Sequence, residues 1–155
     1  MGTVMFYQLT RSPVDEAVAL ITPRALAQGW RVMLRAADPA ILRRLDATLW
    51  QGAPESFVPH GLEGGPHDAD QPILLGQGAA VNGASAVMLI GALPVDLTEA
   101  AAMQRIWLLF EDADPAQLHS ARDQWKAVTA AGLPAQYWTD ASGAWAKKAD
   151  SAGQT

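Results

Sequence analysis

Side chains able to do acid–base, nucleophilic or metal chemistry are sparse in these 155 residues, and their spacing suits none of it. There is no cysteine, which removes thiolate nucleophiles, disulfides, iron–sulfur clusters and cysteine zinc sites together. The three histidines, His60, His67 and His119, include no pair four residues apart, the spacing that holds a metal on one helical face. His60 and His67 flank a glycine-rich loop with Asp68 and Asp70 nearby, and a surface loop is a better reading there than a metal site. Gly76-Gln77-Gly78-Ala79-Ala80-Val81 begins like a dinucleotide-binding loop but lacks the third glycine. No Gly-Lys-Ser/Thr supplies a phosphate loop, and no Gly-x-Ser-x-Gly supplies a nucleophile elbow. The expectation is a protein with no catalytic, metal or cofactor site.

Recognition chemistry is better represented. Six of the eleven aromatic residues are Trp, a residue concentrated at interface hot spots. Leu118, Ala121, Trp125 and Val128 fall on one face of a helix, and Arg122 and Lys126, one turn apart, flank Trp125. Two cations beside an indole suit an acidic chain end whose apolar side chain packs on the ring. The plainer alternative is an amphipathic helix with solvated charges. Trp50 and Phe57 bracket a second feature, a loop with two prolines and a glycine, and rings on a rigid, poorly buried loop make good anchors for a partner. Trp107, inside an apolar run, reads as core.

The elements that must position these residues come in short units. Val4–Leu9 is rich in strand formers. Ser12-Pro13 reads as a helix cap followed by proline, with the helix running to about Gln28 and Gly29 stopping it. Pro23 inside that stretch should kink or split it. Residues 31–36 form the second strand, and Asp38-Pro39 opens a helix that closes near Trp50. Ile73-Leu74-Leu75, then Ala86–Ile90, then Met103–Phe110 are strand candidates. Asp114-Pro115 caps a last helix running to Ala131, and Gln136–Thr139 is a final strand candidate. Strand–helix alternation in short units favours parallel construction and an α/β fold.

Length sets one domain, over about residues 1–147, with a small polar tail at 148–155 expected to fray. Net charge is −5, the wrong sign for a protein that grips phosphate backbone directly. Charge is unevenly spread: residues 1–50 carry six Arg against four acids, 51–120 one Arg against nine acids, and 121–155 four basic groups against three acids. No secretory signal or membrane span is recognised, and the reading is cytoplasmic.

Leu45-Asp46-Ala47-Thr48-Leu49-Trp50, followed by Glu55-Ser56-Phe57-Val58-Pro59-His60, closely resembles the central motif of the chi subunit of bacterial DNA polymerase III. Phe6-Tyr7 and the later run from Ala121 to Ala127 match that family in order and rough spacing, so the resemblance covers about residues 4–147. It implies a single-domain, Rossmann-like three-layer sandwich with a mostly parallel central sheet and no nucleotide. It implies a non-catalytic adaptor of the clamp-loader complex that binds the acidic C-terminal tail of single-stranded DNA-binding protein, which ends in a Phe carboxylate. Arg122, Trp125 and Lys126 fall on the tail-binding helix of the family. Trp50 and Phe57 fall on its surface for the psi subunit or an accessory helicase, so DNA is reached only indirectly. The chain departs from the family where Leu118 replaces a lysine that some members carry, and where Glu111, Asp112 and Asp114 precede the helix. Those acids repel an acidic tail unless they are turned away. The rival readings are a small Rossmann-like nucleotide-binding enzyme, and direct single-strand binding by stacked Trp rings, which the negative charge opposes.

Overall fold

The computed structural model describes residues 2–51 and 58–151. In chain order the elements are β1 (Thr3–Leu9), α1 (Val14–Ala27), β2 (Val32–Ala36), α2 (Pro39–Trp50), β3 (His60–Leu62), β4 (Ile73–Gly76), β5 (Ala86–Ile90), α3 (Leu97–Ala102), β6 (Arg105–Glu111), α4 (Pro115–Ala130), β7 (Ala135–Thr139) and β8 (Ala146–Asp150). The strands form one sheet in the order β3-β4-β2-β5-β6-β1-β7-β8. Every neighbouring pair is parallel except β7 with β8. This is the expected α/β sandwich.

The central strands are buried along their whole length, as in the runs Ile73–Gly76 and Ala86–Ile90, because helices cover both faces. Alternate residues feed two cores. Met5, Leu34, Met88 and Trp107 point with Leu42, Leu45 and Val18 into the layer under α1 and α2. Val4, Phe6, Met33, Val87 and Phe110 point with Ala100, Ala121 and Val128 into the layer under α3 and α4. Trp107 is core, as expected.

Capping explains most helix boundaries. Asp38 accepts from the Ala40 N–H, and Asp114 accepts from the Ala116 and Gln117 N–H groups. Each satisfies donors that the first turn leaves free. At the other end of α4, Gly132 sits at φ 80°, so that its N–H reaches the Thr129 carbonyl and the Leu133 N–H reaches Val128. That left-handed turn is one glycine adopts at least cost.

Several expectations need correction. Ser12 does not cap α1; Pro13 precedes its first turn without a side-chain bond, and the Ser12 N–H instead donates to Asp140. Pro23 neither splits nor ends α1, which continues to Ala27. The Ala19 carbonyl that loses its donor belongs to an exposed residue, where water can replace the bond. His60 is not on a surface loop: it begins β3 and is buried. Both ring nitrogens face oxygens, Nδ1 at 2.6 Å from the Val58 carbonyl and Nε2 at 3.1 Å from that of Asp46. The frayed tail expected from 148 is ordered through β8; residues 152–155 lie outside the described residues. β3 and α3 were not expected at all.

Candidate partner-binding site

Helix α4 lies on one face of the sheet with Ala121 and Val128 fully buried against it. That packing fixes the helix rotation. Leu118 and Trp125 sink part-way into the same layer, and Arg122 and Lys126 are left exposed. The Trp125 indole meets the Phe6 ring edge-on, centroids 5.3 Å apart and planes at 69°, and the Tyr137 ring at 6.0 Å and 76°. Edge-to-face contacts of this kind hold a ring in one orientation.

Beside the indole is an open hollow of about 330 Å³, bounded by Arg122, Trp125, Lys126, Tyr137 and Ala149. Its floor is aromatic and its rim cationic. Among the described residues neither Arg122 nor Lys126 makes an ion pair, while the neighbouring Asp123 faces His119 at 3.3 Å. Tyr137 comes from β7 and Ala149 from β8, and these two residues are cross-strand partners. Sequence reasoning missed both. Tyr137 was visible as an aromatic in a strand candidate, but Ala149 carried no signal, because only strand pairing brings it here.

The Tyr137 hydroxyl donates to Gln8 Oε1 at 2.6 Å, and Gln8 Nε2 donates to Asp112 Oδ2 at 3.1 Å. Burial raises the Tyr137 pKa; nearby Arg122 pulls it back down and Asp112 pushes it up. The phenol is therefore neutral at pH 7 and keeps its single proton on Gln8, which leaves the ring, not the hydroxyl proton, for the hollow.

The acids before α4 are largely occupied. Asp114 caps the helix, and Asp112 also accepts from the Thr10 hydroxyl at 3.0 Å. Asp114 and Arg122 are eight residues apart, about 12 Å along the axis. That exceeds the Debye length of about 8 Å at physiological salt. The repulsion of Asp114 on an anion near Arg122 is thus mostly screened, whereas Asp112, joined to Tyr137 through Gln8, is the acid nearer the hollow.

Trp50 ends α2 and is 60% exposed, the most exposed large apolar side chain among the described residues. Its ring leans on His60 at 5.0 Å. Phe57, its expected companion, lies outside the described residues. Trp50 and Trp125 stand on helices covering opposite faces of the sheet, so the structure brings Arg122, Trp125 and Lys126 together and keeps Trp50 apart from them.

The places where a sheet of this kind takes phosphate, loops at the carboxyl ends of strands, hold the chain's own carboxylates. After β1, Asp140 accepts from the N–H groups of Thr10, Arg11 and Ser12 at 2.7 to 3.3 Å. After β4, Glu63 accepts from the N–H groups of Gln77 and Gly78 at 2.9 and 3.0 Å. Glu63 packs close against both glycines: a Cβ on Gly76 would stand 2.5 Å from the Glu63 carboxyl carbon and 2.6 Å from its Cβ, and one on Gly78 2.8 Å from a carboxylate oxygen. Among the described residues no group of three or more His, Cys, Asp or Glu could hold a metal ion. No helix among them is long and apolar enough to cross a membrane.

Comparison with known proteins identifies a family. The family described as DNA polymerase III chi subunit, HolC, matches residues 1–136, which include all of α4. The curated DNA polymerase III subunit chi of Pseudomonas aeruginosa is 40% identical over 58 residues, 37% of this chain and 39% of that relative. The match thus spans about two fifths of the relative's length. With the family match running through both helical layers and into β7, the chain belongs to the DNA polymerase III chi subunit family, an accessory and non-catalytic part of the replicative polymerase.

Proposed function

We propose that this chain ties the polymerase assembly to single-stranded DNA-binding protein by holding that protein's acidic C-terminal tail in the hollow beside Trp125. The observation that carries the reading is the pairing of two exposed cations, Arg122 and Lys126, with an immobilised indole around one open concavity. The tail's terminal carboxylate pairs with Arg122, its last ring packs near Trp125, and Lys126 faces the upstream acids. A guanidinium suits a carboxylate because its N–H fork matches both oxygens. The protruding Trp50, with Phe57, forms the second surface, for the psi subunit or an accessory helicase. The protein then acts in the clamp-loader complex, in a cytoplasmic setting, and reaches DNA only through its partners.

Affinity for the tail should be in the micromolar class, about −7 to −8 kcal/mol, and should weaken as salt screens the exposed cations. The test is titration of a labelled tail peptide against the wild type and Arg122→Ala. A loss of roughly tenfold or more, about 1.4 kcal/mol, is expected; equal affinities would refute the site. The nucleotide-enzyme reading has no support of this kind, since Asp140 and Glu63 fill the seats it requires.

A further inference from the structure

The face of the sheet opposite α4 carries a second concavity, built from residues the tail hollow does not use. Two adjoining chambers share the lining residues Tyr7, Ile21 and Arg24. The first, about 170 Å³, is walled mainly by apolar groups, among them Trp138, Trp145 and Leu20. The second, about 210 Å³, is lined also by Trp30, Arg105 and Trp107. The Tyr7 ring sits 5.0 Å from that of Trp145, and the Arg105 guanidinium lies over Trp30 at 5.3 Å.

The charges here are unbalanced. Among the described residues the guanidinium of neither Arg24 nor Arg105 makes an ion pair or a hydrogen bond, in a protein whose net charge is −5. The Arg105 Nε is buried and without a hydrogen-bond partner. Arg24, Arg105 and Tyr7 line the same chamber, which brings the two cations to one hollow. Core filling needs none of this, since aliphatic side chains would occupy the space without leaving a buried donor unmatched.

We infer that this cleft binds a small organic anion bearing one aromatic ring. The apolar chamber is close in size to a cavity of about 150 Å³ that takes benzene, so it accepts one ring and not two. The anion then falls in the neighbouring chamber, which Arg24 and Arg105 both line, with the Tyr7 hydroxyl as a further donor. Both a nucleotide phosphate and an aromatic carboxylate have this chemistry. The site stands independently of the tail reading, because it lies across the sheet from Arg122.

The test is ligand-observed NMR on the full chain. The probes are thymidine 5′-monophosphate and benzoate, with thymidine and benzyl alcohol as their uncharged counterparts. At least one anion should bind with Kd below about 1 mM, and its uncharged counterpart about tenfold more weakly. Arg24→Gln should weaken the anion about tenfold and Arg24→Lys should restore part of the loss, since a charge and not a shape is being removed. Arg24 is an exposed residue of α1, so both variants retain the fold. Preference for one probe tells phosphate from carboxylate. Three results would overturn the inference: no binding of either anion at about 10 mM, equal affinity in Arg24→Gln, or loss of binding in Arg122→Ala instead.

Discussion

Asp140 is 3% exposed, yet it remains an anion. Burial pushes its pKa up, but hydrogen bonds from the Ser12 side chain and from the N–H groups of Thr10, Ser12 and Arg11 outweigh that and hold it below its ordinary value of 3.8. The sign follows directly. A carboxylate whose folded pKa is depressed adds stability that is complete above the ordinary value and is lost as pH falls through the folded one. Asp140→Ala leaves three N–H groups short of their acceptor and should cost about 3 kcal/mol at pH 7. Urea unfolding of both proteins across pH 2 to 7 should show the gap narrowing below about pH 4. A gap that does not depend on pH would mean that the carboxylate is not the source. Nothing near Asp140 in the sequence announces this role, because its partners lie 128 to 130 residues away.

Strand β8 shows what an element adds. Its residues, Ala146-Lys147-Lys148-Ala149-Asp150, are poor strand formers, and only antiparallel pairing with β7 holds them. Lys147 on this edge meets Asp150 at 2.9 Å, and edge lysines discourage further strands from joining. Ending the chain after Trp145 removes Ala149 from the hollow and bares the β7 edge. Tail-peptide affinity should fall by roughly threefold to tenfold, about 0.7 to 1.4 kcal/mol, with the helical circular-dichroism signal kept. Unchanged affinity would show that β8 is no wall of the site. The elements that sequence pattern did reveal carry an apolar run, a run of strand formers or a cap, as with Ile73–Gly76, Ala86–Ile90 and Pro115–Ala130. Those it missed are weakly apolar: β8 is mostly exposed lysine and alanine. β3 is three residues including a glycine, and α3 is six residues, although Asp96, which accepts from the Glu99 N–H, was a readable cap.

For the whole molecule, the sheet is a partition. Trp50 stands on the α2 side and the Arg122–Trp125–Lys126 hollow on the α4 side, so the two proposed surfaces lie on opposite faces of the sheet. Sites that share no contacts should behave additively. Trp50→Ala removes a ring that is 60% exposed, so its unfolding midpoint should move by less than about 2 °C. Capture of the psi subunit or the helicase should drop at least tenfold, about 1.4 kcal/mol, while tail affinity stays within twofold, about 0.4 kcal/mol. If Trp50→Ala lowers the midpoint markedly, the ring supports the fold and the second surface must be sought elsewhere. A body of net charge −5 that presents cations in only a few places fits a protein that holds an acidic segment without competing for the nucleic acid itself.

The sequence by itself determined the α/β class, the long strands and capped helices, and the face of α4 that carries Arg122, Trp125 and Lys126, because periodicity, caps and apolar runs act over a few residues. Tertiary structure alone decided that Tyr137 and Ala149 complete the hollow, that Asp140 and Glu63 occupy the loops where phosphate would bind, and that Arg24 and Arg105 share one cleft. Each of these joins residues far apart in the chain, and only the strand order and register bring such residues within contact distance.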